Sequence, residues 1–503
     1  MCLRSILVAG TITQAGIAIW WLATVLALSA TVEPENKLGN RSQISGGEVA
    51  EHLLDPGLNV RGIVPLTPAA SAEVSPTMEA ANPVSPTADT ASAVAATSVV
   101  SVAPPKRLGE GQFSQWLPQH LAMAKAAWRY FEKQYQPQTG LVNSVAGYRE
   151  ATLWDVASVL AGNLAALEFE LITPAQFSRR TDTLLTTLIE LALYDERLPN
   201  RSYHTDSGKP VVSNLSKVRN GNGWSALDIA RTLGWLHILQ QRQPQYAPQV
   251  AKIRARWHTQ ELVNGGELQG ARYYSKSGER RYQEGRIGYE QYAALALSLW
   301  GLTPNKALHR QASKRVSVAG VSLPVDIRPR PFLTSDPFYL AMLEFGQQAQ
   351  PLRFETEAIY LAQKQHYLAS GEIHCFGEDA ISWPPWFLYN NLHFFEHGWH
   401  STDYRGSSSK QSQPLSAKCA VAFGVLGSDE FATALWQQAS QLYRDKGWYS
   451  GVMADGRVNT SSNLNTNAVI LTALLYVHNG NRGLLLPPLT ATAALAQQPA
   501  TVD

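Results

Sequence analysis

Carboxylates recur beside glycine and aromatic residues in this 503-residue chain. Hydrolysis of a glycosidic bond needs one carboxylic acid to protonate the leaving oxygen and a second carboxylate to activate water or attack the anomeric carbon. Glu284 and Glu290 flank a Gly-Arg-Ile-Gly-Tyr segment, where glycines permit close approach of a ligand and Tyr289 can stack on a sugar ring. We predict Glu290 as the general acid, because burial among aromatic rings would raise its pKa.

Both glutamates also have structural interpretations that the sequence leaves open. Glu284 can form an ion pair with Arg281 or Arg286. Glu290 lies in the first turn of a predicted helix, where the helix dipole stabilises an acidic side chain. Neither interpretation requires a substrate.

Two aspartates at the starts of apolar helices are candidates for the base. Asp155 directly follows Trp154, and Asp228 lies one turn after Trp224. An aspartate at a helix start is also a common N-cap, and Asp228 can pair with Arg231 at i+3. The functional interpretation is favoured for Asp155 only.

The predicted substrate-binding residues are aromatic or polar side chains, most of them at the same helix starts. Aromatic rings stack on sugars but also fill ordinary cores, so the 14 Trp and 19 Tyr serve either purpose. Asp336 precedes Pro337 and fits an N-cap with proline at N1, which is the favoured interpretation, whereas Glu344, further along that helix, would need a partner if it faced the apolar interior. The predicted set is Trp154, Trp224, Tyr289, Asp336, Tyr203 and Asn467.

A competing motif, H-x-x-E-H, spans His393 to His397 and includes Glu396. On a helix it would place both histidines on one face, as in inverted zinc metalloproteases. The Pro384–Pro385 pair and Gly398 leave room for only a short helix, and no glutamate follows Glu430 to supply a further ligand. A zinc peptidase is the alternative enzyme class, and polar surface histidines are the simpler interpretation. No nucleotide fingerprint is present, and we predict neither a metal nor a cofactor.

Apolar positions recur at helical spacing through the middle of the chain, whereas strand signals are few and short. Helices joined head to tail predict an all-α (α/α)6 toroid of alternating inner and outer helices, with an open α-solenoid as the alternative. The inner helices would then bring their polar-aromatic starts together at one mouth. The predicted helices cover 113–135, 151–171, 174–194, 223–241, 246–262, 288–301, 336–347, 353–369, 414–427, 429–446 and 464–479.

The regions outside this toroid predict export and tethering. Residues 1–31 are typical of a signal peptide or, as we favour, an uncleaved signal-anchor transmembrane helix. Residues 32–107 are rich in Ala, Pro, Ser and Thr and are predicted to be a disordered linker, the toroid occupies 108–486, and 487–503 form a disordered tail. We expect a single-pass protein of the cell membrane whose main domain lies in the periplasm or outside the cell.

Charge and cysteine content restrict the partners further. The net charge of +2 is spread without a basic run, which argues against nucleic acid and polyanionic substrates. Cys375 and Cys419 can pair outside the cytoplasm or remain two buried thiols. The expected partners are an oligo- or polysaccharide and, through the N-terminal helix, the membrane.

Six segments, in order, resemble the bacterial family of domain of unknown function 3131 over residues 110–482. They are TLWDVASVLAGNLAALEF, RLPNRSYH, GWSALDIARTLGWL, QEGRIGYEQYAALALSLWG, VDIRPRPFLTSDPFYLAMLEFG and NTNAVILTALLY. That family is similar to the (α/α)6 glucoamylase-like domains of β-1,2-glucanases and cyclic β-1,2-glucan synthases. The resemblance implies a glycoside hydrolase or transglycosylase acting on a glucan-like envelope polysaccharide. The distant family's Gly-Tyr-Asn-Glu acid aligns with Gln291, and the neighbouring carboxylate here is Glu290. A non-catalytic glycan-binding module that aids polysaccharide synthesis or export is the alternative.

Overall fold

The computed structural model describes residues 108–212, 219–274, 276–309 and 312–486. The predicted anchor (1–31), linker (32–107) and tail (487–503) lie outside these residues. Within the described ranges, no helix combines the length and apolarity needed to cross a bilayer.

Six helices form an inner ring, and almost every residue in them is buried. All ten residues of the fourth and of the fifth inner helix are buried, because each helix is covered on every side. Each inner helix packs on the next, and the last packs on the first, so the ring closes as the toroid prediction requires. The inner helices are α2 (Leu153–Glu168), α4 (Ala226–Arg242), α6 (Tyr289–Ser298), α8 (Asp336–Phe345), α10 (Ala417–Leu426) and α12 (Leu464–His478).

Outer helices alternate with the inner ones along the chain. They are amphipathic and bury a single stripe against the ring, as α3 does with Phe177, Leu184 and Leu188. The fourth outer position is reduced to a four-residue helix, α7. The outer helices are α1 (Pro118–Gln134), α3 (Pro174–Glu190), α5 (Ala247–Arg256), α7 (Asn305–Leu308), α9 (Gln350–Ser370) and α11 (Glu430–Ala439).

The all-α prediction is incomplete, because the described residues also contain eighteen short strands. Every strand lies in a connection from an outer helix to the next inner helix, so all of them elaborate the end of the toroid where the inner helices begin. The strands before α6 are β1 (Glu150–Thr152), β2 (Leu193–Tyr194), β3 (Leu198–Pro199), β4 (Ser202–His204), β5 (Gly223–Trp224), β6 (Val263–Asn264), β7 (Glu267–Tyr274) and β8 (Gly278–Gln283). The strands after α6 are β9 (Ser313–Val318), β10 (Val321–Asp326), β11 (Glu378–Ala380), β12 (Phe387–Phe394), β13 (His397–Thr402), β14 (Leu415–Ser416), β15 (Tyr443–Arg444), β16 (Gly447–Trp448), β17 (Gly451–Val452) and β18 (Val458–Asn459).

These strands form small antiparallel sheets rather than one layer. The larger ones join β5, β7, β6 and β8, β11 to β13, and β14, β17 and β18. Hairpins β9–β10 and β15–β16 and the pairs β1–β4 and β2–β3 complete the set among the described residues. The sheets therefore wall the mouth of the toroid.

The H-x-x-E-H segment is a β-hairpin, so its interpretation as a helical zinc motif is wrong. His393 lies on β12 and pairs in register with Gly398, while His397 begins β13. Phe395 makes the turn with a positive φ of 53°. Glu396 forms an ion pair with Lys314 at 3.2 Å instead of facing a metal.

Cys375 and Cys419 form a disulfide, with their Cα atoms 5.7 Å apart. Of the two possibilities that the sequence leaves open, pairing is therefore the one observed. The bridge ties the segment before β11 to the first turn of α10.

Candidate functional site

The mouth of the toroid is built from the starts of the inner helices, and two predicted catalytic acids hold these starts in place. Asp155 accepts hydrogen bonds from the Thr152 backbone N–H and hydroxyl, both at 3.0 Å, at the first turn of α2. In return, the Asp155 backbone N–H donates to the Thr152 hydroxyl. Burial raises the pKa of Asp155 to about 6, against the opposing effect of these hydrogen bonds. Thr152 is therefore the N-cap of α2, and Asp155 is the N3 residue that completes a capping box rather than the N-cap itself.

Glu284, which follows β8, holds the start of α4. Its carboxylate accepts from the Ser225 hydroxyl at 2.9 Å and from the Ala226 backbone N–H. Glu284 is wholly buried, and this burial raises its pKa to about 7. These partners differ from the predicted ones, because Arg281 pairs with Glu261 and Glu279, and Arg286 bonds to Gln283 and the Pro329 carbonyl.

Glu290 lies in the first turn of α6 and is almost fully buried. It forms an ion pair with Arg328 at 2.7 Å and accepts a hydrogen bond from the Gln283 side chain at 3.1 Å. Arg328 also pairs with Asp326 at the end of β10. Burial raises the pKa of Glu290, and the Arg328 guanidinium opposes that rise. Gln291 accepts from the Gly288 N–H at 2.7 Å and donates to the Ala307 carbonyl at 3.0 Å, so it fixes the start of α6.

Deeper in the ring, Glu344 has the buried partner that the sequence requires. Arg231 pairs with it at 3.2 Å, and both side chains are completely buried. The guanidinium also lies 4.4 Å from the Trp154 ring centre and donates to the Trp154 carbonyl and the Ser158 hydroxyl. Arg231 and Glu344 thus form a structural pair in the centre of the toroid.

Asp228 is buried in the first turn of α4, where its N–H donates to the Ser225 hydroxyl.

A second group of acids surrounds Lys418 at the starts of α8 and α10. Lys418 pairs with Asp336 and donates to the backbone carbonyl of Glu378. Asp336 accepts from the Tyr339 hydroxyl at 2.8 Å and from the Glu378 N–H at 3.0 Å. Asp379 accepts from the Ser416 hydroxyl at 3.1 Å. We call Asp336, Glu378, Asp379 and Lys418 the lysine cluster, in which each side chain is at most 3% exposed.

Two carboxyls of the lysine cluster, those of Glu378 and Asp379, have raised pKa values. Burial, and then the nearby Asp336 charge, raise the pKa of Glu378 well above its ordinary value, although Lys418 opposes the shift. Burial likewise raises the pKa of Asp379 to about 7. Burial alone would lower the pKa of Lys418, but Asp336 and Asp379 raise it more. At neutral pH the cluster can therefore hold a carboxylic acid beside a charged ammonium group.

Tyr289 links the lysine cluster to the start of α6. Burial, and then the nearby Glu378 and Asp336 charges, raise the pKa of Tyr289 well above its ordinary value, and the Trp154 ring lies 5.5 Å from the Tyr289 ring. Of the predicted residues, Tyr289, Asp336 and Trp154 are therefore brought together, with Glu290 beside Tyr289 in sequence. The sequence interpretation missed Glu378 and Asp379, although the segment Phe-Gly-Glu-Asp-Ala-Ile-Ser-Trp carries the same acid, glycine and aromatic signal.

Three predicted substrate-binding residues lie in the core instead. The Trp224 indole donates to the Gln269 carbonyl at 3.0 Å, and the Tyr203 hydroxyl donates to the Ala192 carbonyl at 3.0 Å. Asn467, also buried, accepts from the Trp448 N–H at 2.9 Å. Their polar atoms thus have protein partners, as in core packing.

A groove of about 1130 Å³ lies beside the mouth. Its walls come mainly from helix α1 and from the connection between α11 and α12. Its walls carry tyrosine rings, small hydroxyls and basic side chains, which include Tyr130, Tyr443, Tyr449, Ser382, Thr460, Ser461, Lys125 and Arg129. Ser382 lies three residues after Asp379, and its hydroxyl is 3.3 Å from that of Thr460. The segment that carries the acids therefore continues into the groove wall, and the groove has the size of an oligosaccharide site.

The family model for "Protein of unknown function (DUF3131)" matches residues 122–480, and the chain belongs to this family. This match confirms the resemblance inferred from the six segments. No curated protein matches the chain in sequence.

Solved structures share the toroid at low sequence identity. A candidate glucoamylase from Bacteroides caccae is 12% identical with a TM-score of 0.53, over 73% of this chain and 94% of that one. An endo-β-1,2-glucanase from Chitinophaga pinensis, in complex with sophorotriose and glucose, is 12% identical with a TM-score of 0.51, over 73% and 93%. A β-1,2-glucanase from Parabacteroides distasonis is 10% identical with a TM-score of 0.50, over 74% of this chain and 58% of that one. The likeness shows a glucoamylase-like (α/α)6 fold.

Proposed function

We propose that this protein is a glycoside hydrolase or transglycosylase that acts on a glucan-like polysaccharide at the mouth of the toroid. The observation that carries the proposal is that Glu290 and Tyr289 begin α6 while Asp336 and Lys418 of the lysine cluster begin α8 and α10, at the end of the toroid where an oligosaccharide-sized groove also lies. Two carboxyl groups in unlike environments are what acid–base hydrolysis of a glycosidic bond requires.

We assign the proton-donor role to Glu378. Burial and the nearby Asp336 charge raise the pKa of Glu378 and so favour the protonated carboxyl, which can supply a proton to the leaving oxygen. Glu290 is the candidate base or nucleophile, because its ion pair with Arg328 opposes the rise that burial causes in its pKa. This reverses the role that the sequence predicts for Glu290, since the sequence does not show the arginine that it meets in the fold.

A β-1,2-linked glucan is the first substrate to test. The endo-β-1,2-glucanase from Chitinophaga pinensis shares the fold and binds sophorotriose. The tyrosine rings and hydroxyls of the groove suit stacking on sugar rings and hydrogen bonding to their hydroxyl groups.

Export and membrane tethering through residues 1–31 complete the proposal. The Cys375–Cys419 disulfide supports it, because such bridges persist in oxidising compartments. The envelope is the compartment where a tethered glucan-active domain would meet its substrate.

A glycan-binding module without turnover is the second candidate function. The observation that favours it is that Asp155 and Glu284 already hold helix starts, and that Asp336 already neutralises Lys418. In this case the mouth would hold a sugar but transfer no proton to it.

Product analysis distinguishes these candidates. Full-length protein is incubated with β-1,2-glucan and a panel of other α- and β-glucans, and products are separated by size and mass. The parent is expected to shorten or cyclise one glucan, and Glu378→Gln is expected to lose this activity. Glu284→Gln is the matched control, since it removes a buried carboxylate that serves α4 and should retain turnover. Sugar binding without products from the parent would refute the enzyme and support the binding module.

The two carboxyl roles can be separated by the leaving group. A glucosyl fluoride needs no proton to release fluoride, so Glu378→Gln should act on it far better than on the glucan. Glu290→Gln should be poor on both, because the base or nucleophile is needed in each case. The opposite pattern would exchange the two assignments.

A further inference from the structure

Two histidines and a glutamate converge on the outside of the toroid, at the end of α9. The His366 Nε2 atom lies 3.8 Å from a carboxylate oxygen of Glu372, and the His374 Nε2 atom lies 3.9 Å from the same oxygen. One nitrogen or oxygen from each residue can be chosen so that all three atoms lie within 4.8 Å of one another. Imidazole and carboxylate are ligands that divalent transition metals share.

The backbone around these residues holds them in place. The helix α9 ends at Ser370, and Gly371 adopts a left-handed conformation with a φ of 75°, which turns the chain back. Cys375, next to His374, is fixed to α10 by the disulfide, and its N–H donates to the Pro414 carbonyl at 2.7 Å. The sequence spacing H-x5-E-x-H thus becomes one compact turn between two anchored elements.

The surroundings resemble those of a metal site open on one side. The Trp399 ring packs against both imidazoles, with centroid distances of 5.1 and 4.9 Å, and Phe376 stacks on His374. The histidine side chains are 20% and 12% exposed, whereas Glu372 is 72% exposed. Two ligands are therefore held against an apolar wall, and the third can close over an ion from the solvent side.

Two imidazole nitrogens at this turn lack partners. Across the described part of the chain, the buried His366 Nε2 and His374 Nδ1 atoms find no hydrogen-bond partner. A buried polar atom without a partner costs about 1–3 kcal/mol, and a bound cation would satisfy the nitrogen that faces it. Of the two, His366 Nε2 is the atom that faces Glu372, and its lack of a hydrogen-bond partner is an observation independent of the convergence itself.

The distances are close to those of a zinc site. Ligand atoms about 2.1 Å from a tetrahedral Zn²⁺ lie about 3.4 Å apart. The two nitrogen–oxygen distances to Glu372, 3.8 and 3.9 Å, would therefore each need to shorten by about half an ångström. The two imidazoles lie stacked with centroids 3.8 Å apart and planes inclined by 22°, so they must also rotate to direct their lone pairs at one ion. The terminal torsion of histidine has a broad energy profile, and the rotation would also separate the imidazoles from their stacked contacts with each other and with Phe376.

We infer that His366, Glu372 and His374 bind one divalent transition-metal ion, with Zn²⁺ as the expected ion, and leave a coordination position for water. The ion would clamp the end of α9 to the segment that leads into β11. Since Glu378 follows His374 by four residues, the ion would stabilise β11, the strand that carries Glu378 and Asp379 of the lysine cluster. The inference does not depend on the proposed enzymatic activity.

Zinc titration of the whole protein tests this site. Untagged, full-length protein is treated with a chelator, dialysed and titrated with Zn²⁺ in a calorimeter, and thermal unfolding is followed with and without the ion. We expect one ion per chain and a higher melting temperature with zinc. Cobalt substitution adds a spectroscopic measurement, since visible d–d bands report the coordination of the bound ion.

Single substitutions distinguish the proposed metal ligands from a nearby histidine that is not a ligand. His366→Ala and Glu372→Gln should each weaken binding at least about 10-fold, as even loss of an outer partner of a metal ligand does. Glu372→Gln alters an exposed side chain, so it should fold even if a histidine variant does not. His397→Ala is the matched control, because it removes an exposed histidine of the neighbouring hairpin. Absence of zinc binding in the parent, or equal binding in all three variants, would overturn the inference.

Discussion

Replacing Arg231 by methionine tests whether the Arg231–Glu344 pair holds the centre of the toroid together. Both side chains are completely buried, and their closest nitrogen and oxygen atoms are 3.2 Å apart. The guanidinium also donates to the Trp154 carbonyl and the Ser158 hydroxyl. In Arg231→Met, Glu344 would remain buried with the Tyr292 hydroxyl as its remaining side-chain partner among those described.

The expected loss is large for a single substitution. Two unit charges 3.2 Å apart attract by roughly 5 kcal/mol at an effective dielectric constant of about 20. Removing one partner of a buried pair commonly costs about 3–5 kcal/mol, since the other charge is left uncompensated. The double variant Arg231→Met, Glu344→Met has no such charge, so it should recover most of the loss.

Urea unfolding monitored by circular dichroism measures these free energies, provided that the slope of the transition is unchanged. Arg149→Met is the matched control, because the Arg149–Asp206 pair is 68% and 45% exposed and should contribute about 1 kcal/mol or less. A cost for Arg231→Met as small as that of the control would refute the reasoning. So would a double variant that loses as much as the single variants summed.

Three further predictions concern the mouth and its supports. Gly288→Ala should cost about 1–3 kcal/mol in urea unfolding, because φ is 96° and the added methyl group would lie 2.6 Å from the Pro337 side chain. Replacing Cys375 and Cys419 by serine should cost about 4 kcal/mol in the same assay, since the bridge closes a separation of 44 residues. The free energy of unfolding should fall as pH rises from about 4 to about 7, because Asp379 has a pKa of about 7 when folded and about 4 when unfolded. Asp379→Asn should flatten that slope.

Each of these predictions has a contradicting result. A Gly288→Ala variant as stable as the parent would show that the start of α6 can relax. If replacing both cysteines by serine lowered the free energy of unfolding by less than about 1 kcal/mol, the disulfide would contribute little to stability. Stability that rises over the same pH range, or a slope unchanged in Asp379→Asn, would show that Asp379 ionises freely in the fold.

The sequence predicted the helical ring because its inner helices are apolar all round and its outer ones are periodic. It did not predict the strands at the mouth, since segments such as Phe-Leu-Tyr-Asn-Asn-Leu-His-Phe in β12 lack alternation. That strand is buried on both faces, and its asparagines bond to loops distant in sequence, as Asn390 does to Gly377. Such loop contacts carry no local signal.

The candidate site was predictable only in part, because local sequence shows which residues begin a helix but not which distant residues they contact. Residue type and spacing identified Glu290 and Tyr289 at the start of α6, and Asp336 at the start of α8. They could not show that Arg328, 38 residues beyond Glu290, would pair with it, or that Lys418 would meet Asp336. These are contacts between ring elements, and only the closed fold brings them together.

The initial rate of β-1,2-glucan shortening by Glu378→Gln, beside the parent, tests the central claim most directly. A general acid contributes about 10²–10⁴-fold, so the account predicts a rate at least about 100-fold lower with the fold intact. A folded variant that shortens the glucan within about twofold of the parental rate would contradict the assignment of Glu378 as the proton donor.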